Sequence, residues 1–204
     1  MIGVYDYTVI LTYLSFISSL VGIYFAFNDN PFVSIICLLL SGLFDMFDGI
    51  VARTKKNRTN EEKKFGIQID SLSDLVAFGV LPSAIGVGIG VDKTYLFFSL
   101  ILLPLCALIR LAFFNVDEEI RSSKTTEKRK TYLGLPVTSS AVVIPIVYLL
   151  RNILNTYFVY IYGIVLLILS ILFISKFHIS KLKGKGITLI TILGIIIFIL
   201  LLIG

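Results

Sequence analysis

Apolar stretches long enough to cross a lipid bilayer recur from one end of this chain to the other, and that pattern limits what it can fold into. About 20 apolar residues make a helix that spans the roughly 30 Å hydrocarbon layer. Within that layer only helices or closed barrels satisfy their own backbone groups. Spanning helices are expected at about 8–28, 32–53, 66–89, 93–115, 135–151, 154–175 and 187–203. No soluble module separates them, so residues 1–204 read as one all-α membrane domain. Hydrophobic residues make up 57% of the sequence and charged residues 15%, far from the roughly 25% charged content of soluble domains. Cys37 and Cys106 fall inside apolar stretches without metal or redox spacing and read as packing residues. The first stretch lacks the basic start and cleavage site of a secretory signal, so it is expected to stay as a spanning helix.

The charges that remain are sorted by loop. Arg53, Lys55, Lys56, Arg58, Lys63 and Lys64 follow the second span. Arg121, Lys124, Lys128, Arg129 and Lys130 follow the fourth, and Lys176, Lys181, Lys183 and Lys185 the sixth. Basic residues accumulate on the cytoplasmic side of membrane proteins. This alternation therefore predicts a chain in the cytoplasmic membrane with its N-terminus and three basic loops inside and its C-terminus outside. The net charge of +5 is accounted for by topology and by contact with anionic lipid headgroups, so no nucleic-acid partner is expected. The segment from Arg121 to Lys130 reads as a solvated, mobile loop.

Four aspartates break the apolar pattern. A charge at mid-membrane costs roughly 2.5–3.5 kcal/mol even on a lenient scale, so acidic residues there are rare and functional by default. In the second span Asp45, Asp48, Gly49 and Ala52 share one helical face, and in the third Gly66, Asp70 and Asp74 do the same. Asp45 lies eight residues before Arg53 and Asp74 eight after Gly66. Each is about 12 Å along its helix, so antiparallel neighbours bring the four carboxylates to one depth. Like charges in a low-dielectric site repel, and hard divalent cations relieve that repulsion. Oxygen ligands suit Mg²⁺ or Mn²⁺, and the lack of His or Cys on these faces disfavours zinc. Two ions about 3.5–4 Å apart could bind pyrophosphate oxygens. Gly49, Ala52 and Gly66 leave room for a nucleotide to approach the backbone, and Arg53 can fork onto phosphate.

The run Asp45-Met-Phe-Asp48-Gly49-Ile-Val-Ala52-Arg53, followed by Gly66-Ile-Gln-Ile-Asp70-Ser-Leu-Ser-Asp74, resembles the signature of the CDP-alcohol phosphotransferase family. The resemblance covers about residues 8–175. It implies a six-transmembrane-helix core, with the helix at about 187–203 as an addition, and a homodimer by analogy. It further implies that Asp45, Asp48 and Asp70 bind metal, and that Asp74 binds the second metal and removes the acceptor's proton as general base. Asp48, Gly49, Ala52, Arg53 and Gly66 would hold the CDP group of CDP-diacylglycerol or CDP-archaeol. The twelve residues between Arg53 and Gly66 exceed the family's common spacing, and a longer loop resembles the serine-transferring branch. Phe78-Gly79-Val80-Leu81-Pro82, Arg110-Leu-Ala-Phe-Phe-Asn115 and Gly134-Leu135-Pro136 resemble that branch too, which implies L-serine as acceptor. Glycerol 3-phosphate and an inositol phosphate are the competing acceptors, and a cation or proton transporter is the competing class.

Thr8, Thr12 and Ser15 share a face of the first span, and are candidate CDP contacts unless they bond within their own helix. Arg110, Asn115 and Lys130 are candidates for the acceptor, Arg110 with a structural ion pair as its alternative. The Gly86, Gly88, Gly90 run ends a helix away from the basic side and does not read as a phosphate loop. Pro82, Pro136 and Pro145 are expected to kink helices.

Overall fold

The computed structural model describes residues 2–124, 131–180 and 184–203 and is nearly all helical. Helices α1 (Ile10–Phe27) and α2 (Pro31–Ala52) form an antiparallel pair. Asp29 makes the turn at φ 53°, Asn30 Oδ1 accepts the Val33 N–H at 3.3 Å, and Pro31 starts α2 where no donor is lost. Helix α3 (Asn60–Asp74) begins six residues before the expected span. The reason is local. Thr59 Oγ1 accepts the Glu62 N–H at 3.1 Å and Glu62 Oε2 accepts the Thr59 N–H at 3.0 Å, a capping box that starts a helix in polar sequence.

From α3 the chain runs without a break through a π-helical turn (Leu75–Val80) into α4 (Leu81–Gly88). A π turn and a proline both loosen the backbone ladder, so the exposed carbonyls need other donors inside a membrane. Ser140 Oγ donates to Phe78 O at 2.8 Å, Ser83 Oγ to Gly79 O at 3.2 Å and Tyr162 Oη to Pro82 O at 2.8 Å. Gly88 meets the Ala26 carbonyl, so closely that a Cβ there would stand 2.3 Å from the oxygen.

Helix α5 (Ser99–Lys124) starts six residues later than expected and runs nine residues further. Its continuation past the apolar run is polar, and Arg121 pairs with Glu118 one turn away at 2.5 Å. The expected loop from Arg121 to Lys130 is thus helical as far as Lys124, and Lys130 lies outside the described residues. Strand β1 (Thr131–Leu133) then pairs antiparallel with β2 (His178–Ser180), Tyr132 opposite Ile179. This ribbon departs from the all-α expectation. It forms because two short loops end side by side and pair their free backbone groups with each other.

Helices α6 (Ser140–Leu149), α7 (Arg151–Leu154), α8 (Phe158–Ile174) and α9 (Gly184–Ile203) complete the bundle. Among the described residues, five helical stretches are long and apolar enough to cross a membrane: Ile10–Phe27, Pro31–Ala52, Asn60–Gly88, Ser99–Arg121 and Arg151–Ile174. Val137–Leu149 and Thr191–Ile203 are apolar over shorter lengths. The chain is a multi-pass membrane protein. Its core gathers Ile35, Leu38, Phe78, Leu81, Ile85, Leu103, Ile144, Tyr162 and Leu166 from α2, the π turn, α4, α5, α6 and α8. Ile17, Ile101, Leu105, Ile168 and Ile171 point outward, as expected of a surface solvated by lipid.

Candidate active site

Helices α2 and α3 place the four aspartates. Asp45, Asp70 and Asp74 each turn a carboxylate oxygen inward, all within 4.8 Å of one another. Asp74 is 9% exposed and stands at the last residue of α3, directly before the π turn. Asp48 is held from α1, where Thr12 Oγ1 donates to its Oδ2 at 3.0 Å. Ser73 Oγ adds a bond to Thr12 O at 3.3 Å, so α1, α2 and α3 are tied at one level. Among the described residues none of the four carboxylates is in an ion pair. A half-buried to buried trio of carboxylates without a cationic side chain, offering only oxygen donors, fits a hard divalent cation.

A cleft of about 190 Å³ opens beside this group toward the α2–α3 loop. Asp48 and Asp70 line its inner part, and Asp45 and Asp74 lie one turn deeper on their helices. Gly49, Ala52, Arg53 and Gly66 line it as well, so the residues singled out for a nucleotide share one space. A Cβ on Gly49 would meet nothing within 4 Å, because that face of α2 looks into the cleft. Thr8 and Thr12 line the opposite wall. Thr8 is fixed by Asp6, whose Oδ1 accepts both the Thr8 N–H and its hydroxyl.

The other candidates fall elsewhere. Ser15 sits in the α1–α2 seam, exchanging hydroxyl-to-carbonyl bonds with Ser41 at 3.2 and 3.0 Å. Arg110 is buried midway along α5, where Nη1 donates to Leu133 O at 2.8 Å and Phe173 O at 3.1 Å and the guanidinium covers the Phe114 ring. Asn115 Oδ1 accepts from Ser71 Oγ at 2.9 Å, on α3 next to Asp70 but off the cleft wall.

Two cleft residues were missed by the sequence reading, which used Arg58 and Lys63 only as topology determinants. Both line the cleft with Arg53. Their place between the two halves of the aspartate pattern is the signal that would have found them. Lys55, from the same loop, is not part of the cleft lining and bridges Asp6 at 2.7 Å and Glu62 at 2.8 Å. The Lys55 ammonium and the Thr8 hydroxyl beside Asp6 push that carboxyl down to about 2, and Asp6 holds the Lys55 ammonium above its ordinary value.

With this geometry in hand, comparison with known proteins is decisive. The family profile described as CDP-alcohol phosphatidyltransferase matches residues 8–174. The chain belongs to the CDP-alcohol phosphatidyltransferase family. Among its relatives in that family, the CDP-diacylglycerol–serine O-phosphatidyltransferase of Saccharomyces cerevisiae is 40% identical over 117 residues, 56% of this chain and 41% of the yeast protein. The archaetidylserine synthase of Methanothermobacter thermautotrophicus is 31% identical over 178 residues, 87% of this chain and 70% of that protein. A CDP-diacylglycerol–serine O-phosphatidyltransferase of Helicobacter pylori is 32% identical over 154 residues, 70% of this chain and 57% of its own length. The match to the yeast protein thus spans less than half of that relative. Asp45, Asp48, Asp70 and Asp74 all lie inside the family match, whereas α9 lies outside it.

Proposed function

We propose that this CDP-alcohol phosphatidyltransferase moves the phosphatidyl or archaetidyl group of a CDP-lipid onto the hydroxyl of L-serine, with release of CMP. The observation that carries the reading is the trio of inward carboxylates at the inner end of a cleft walled by Arg53, Arg58 and Lys63. Such a cleft suits a pyrophosphate: cations meet the phosphate charge at the rim. Asp45, Asp48, Asp70 and Asp74 would hold divalent cations, Mg²⁺ or Mn²⁺ and two per site, which neutralise the pyrophosphate and the charge that develops on it. The open face at Gly49 and the small Ala52 leave room for the nucleotide, and Thr8 and Thr12 offer hydroxyls from the other wall.

In the transfer, a bond forms between the serine oxygen and the lipid-side phosphorus. The bond from that phosphorus to the CMP oxygen breaks, and CMP leaves with the electron pair. Asp74 takes the hydroxyl proton, a role open to a buried carboxylate within reach of the attacking oxygen. Serine is favoured as acceptor by the names of the relatives and by the segments around Phe78, Arg110 and Gly134. The basic α2–α3 loop supports a cytoplasmic opening for the cleft, with a core of six helices over about 8–175 and α9 added to it.

The test incubates purified protein with CDP-diacylglycerol or CDP-archaeol, Mg²⁺ or Mn²⁺, and labelled L-serine, glycerol 3-phosphate or inositol phosphate, following CMP. Serine-dependent CMP release with label in the lipid phase is the expected result. Release driven by another acceptor alone would overturn the choice of serine. No release with any acceptor would overturn the activity.

A further inference from the structure

Gly66 invites a nucleotide reading because its bare backbone leaves space. That space is filled by a side chain of the protein itself. A Cβ at residue 66 would stand 2.6 Å from Arg58 Nη2, so the Arg58 guanidinium lies directly on the α3 backbone. Its Nη2 donates to Glu62 O at 3.1 Å. Its Nε is buried and has no hydrogen-bond partner among the described residues. A buried donor on a permanently charged group is costly to leave unsatisfied, and this one belongs to a residue that lines the cleft. Gly66 is one helical turn, about 6 Å, from Asp70, so Arg58 sits at the distance of an extended diphosphate from the carboxylates.

We infer that Arg58 is a further donor-binding residue of this site, its guanidinium resting at Gly66 beside the cleft and turning, when the CDP-lipid binds, to give its unpaired Nε–H to a phosphate oxygen. The ligand chemistry is a phosphate, on either the nucleotide or the lipid side of the diphosphate. Gly66 then acts by admitting Arg58, whose Nη2 points at the place a Cβ would occupy. Lysine would keep the charge at position 58 without the rigid fork. The inference rests on the donor reading proposed above.

The experiment measures binding of CDP, of CDP-diacylglycerol and of phosphatidic acid by calorimetry in detergent with Mn²⁺, alongside KM and kcat for CDP-diacylglycerol. Arg58→Gln is expected to weaken CDP-diacylglycerol about 10- to 100-fold in both Kd and KM, with kcat within about threefold. Loss shared by CDP supports a contact on the nucleotide side, and loss shared by phosphatidic acid supports one on the lipid side. Gly66→Ala should weaken the donor by a similar factor, and adding it to Arg58→Gln should cost less than about twofold more, since both remove one contact. Arg58→Lys, the variant to use if the glutamine protein does not fold, should still lose about fivefold or more. Wild-type affinity in Arg58→Gln, or full additivity of the pair, overturns the assignment. A wild-type protein that neither binds CDP-diacylglycerol nor releases CMP from it would instead sink the donor reading.

Discussion

Where α1 meets α2, hydroxyl groups reach from one helix to the backbone of the other: Ser15 and Ser41 to each other's carbonyls, Ser18 to Cys37 O, Ser34 to Gly22 O. Where α5 meets α8, the buried side chains are mostly apolar, with Leu103, Leu166, Leu169 and Phe173 among them, and Arg110 of α5 donates to Phe173 O at the end of α8. Lipid is as apolar as leucine, so helix association in a membrane relies on close packing and interhelical hydrogen bonds. The second interface is tied at one end by the Arg110 bond to Phe173 O and elsewhere rests on apolar packing, which sets register less strictly. The first fixes register, since a hydroxyl-to-carbonyl bond weakens steeply once its distance and angle change. The aspartates stand on the side with fixed register, and the π turn next to Asp74 has its carbonyls answered by Ser140 and Ser83. Placement of charge in this membrane protein is thus tied to hydrogen bonds, and bulk is left to apolar packing.

The comparison breaks most severely at the carboxylates themselves. Asp74→Asn should lower turnover by about 10²- to 10⁴-fold while CDP-lipid binding stays within about threefold, measured by CMP release and calorimetry. Next comes the seam. A Cβ on Gly22 would stand 2.9 Å from both Cys37 Cβ and Leu81 Cδ1, so Gly22→Val should cost about 1–3 kcal/mol of stability and lower kcat about tenfold. Gly194→Val on α9, where a Cβ meets nothing within 4 Å, is the control and should change neither. In the other interface, Leu166→Ala should cost about 2–5 kcal/mol in a thermal or denaturant assay and leave kcat of the folded enzyme within about twofold. Equal loss of turnover in the Gly22 and Leu166 variants would erase the distinction between the two regions.

The smallest effect belongs to the Asp6–Lys55 bridge, which reaches the cleft only through Thr8. Its carboxyl is depressed from 3.8 to about 2. The bridge therefore contributes fully above about pH 4 and is lost as pH falls toward 2. Its exposure leaves it open to salt screening. Asp6→Asn should raise KM for the CDP-lipid by less than about threefold, by the same factor from pH 5 to pH 9, and by less in 1 M salt. A difference that varies across that pH range would show a second titrating group.

Much of this was legible in the residues. The spans of α1, α2 and α8 follow from apolar length alone, and the shared faces of Asp45, Asp48, Asp70 and Asp74 follow from helical spacing. The start of α3 was missed because hydropathy marks only the part of a helix that lies in lipid; the Thr59 and Glu62 capping box was in the sequence and unused. The ribbon of β1 and β2 was missed because three-residue strands carry no periodicity, and only the adjacency of the ends of α5 and α8 creates them. Arg110 looked like a site residue since a buried cation must have a purpose. Its described contacts are to the carbonyls of Leu133 and Phe173 and to the Phe114 ring, none of which sequence spacing could reveal. Arg58 was hidden for the opposite reason: a loop arginine among lysines looks like topology until the fold lays it on Gly66.

The most direct test of the central claim, that the aspartates of α2 and α3 meet around divalent cations, is Mn²⁺ binding in the presence of CDP-lipid, followed by electron paramagnetic resonance and by anomalous diffraction at the manganese edge. Manganese is expected between Asp45, Asp48, Asp70 and Asp74, two ions per site, with binding lost in Asp70→Asn. Full turnover in excess chelator, or manganese that binds equally well in Asp70→Asn, would contradict it.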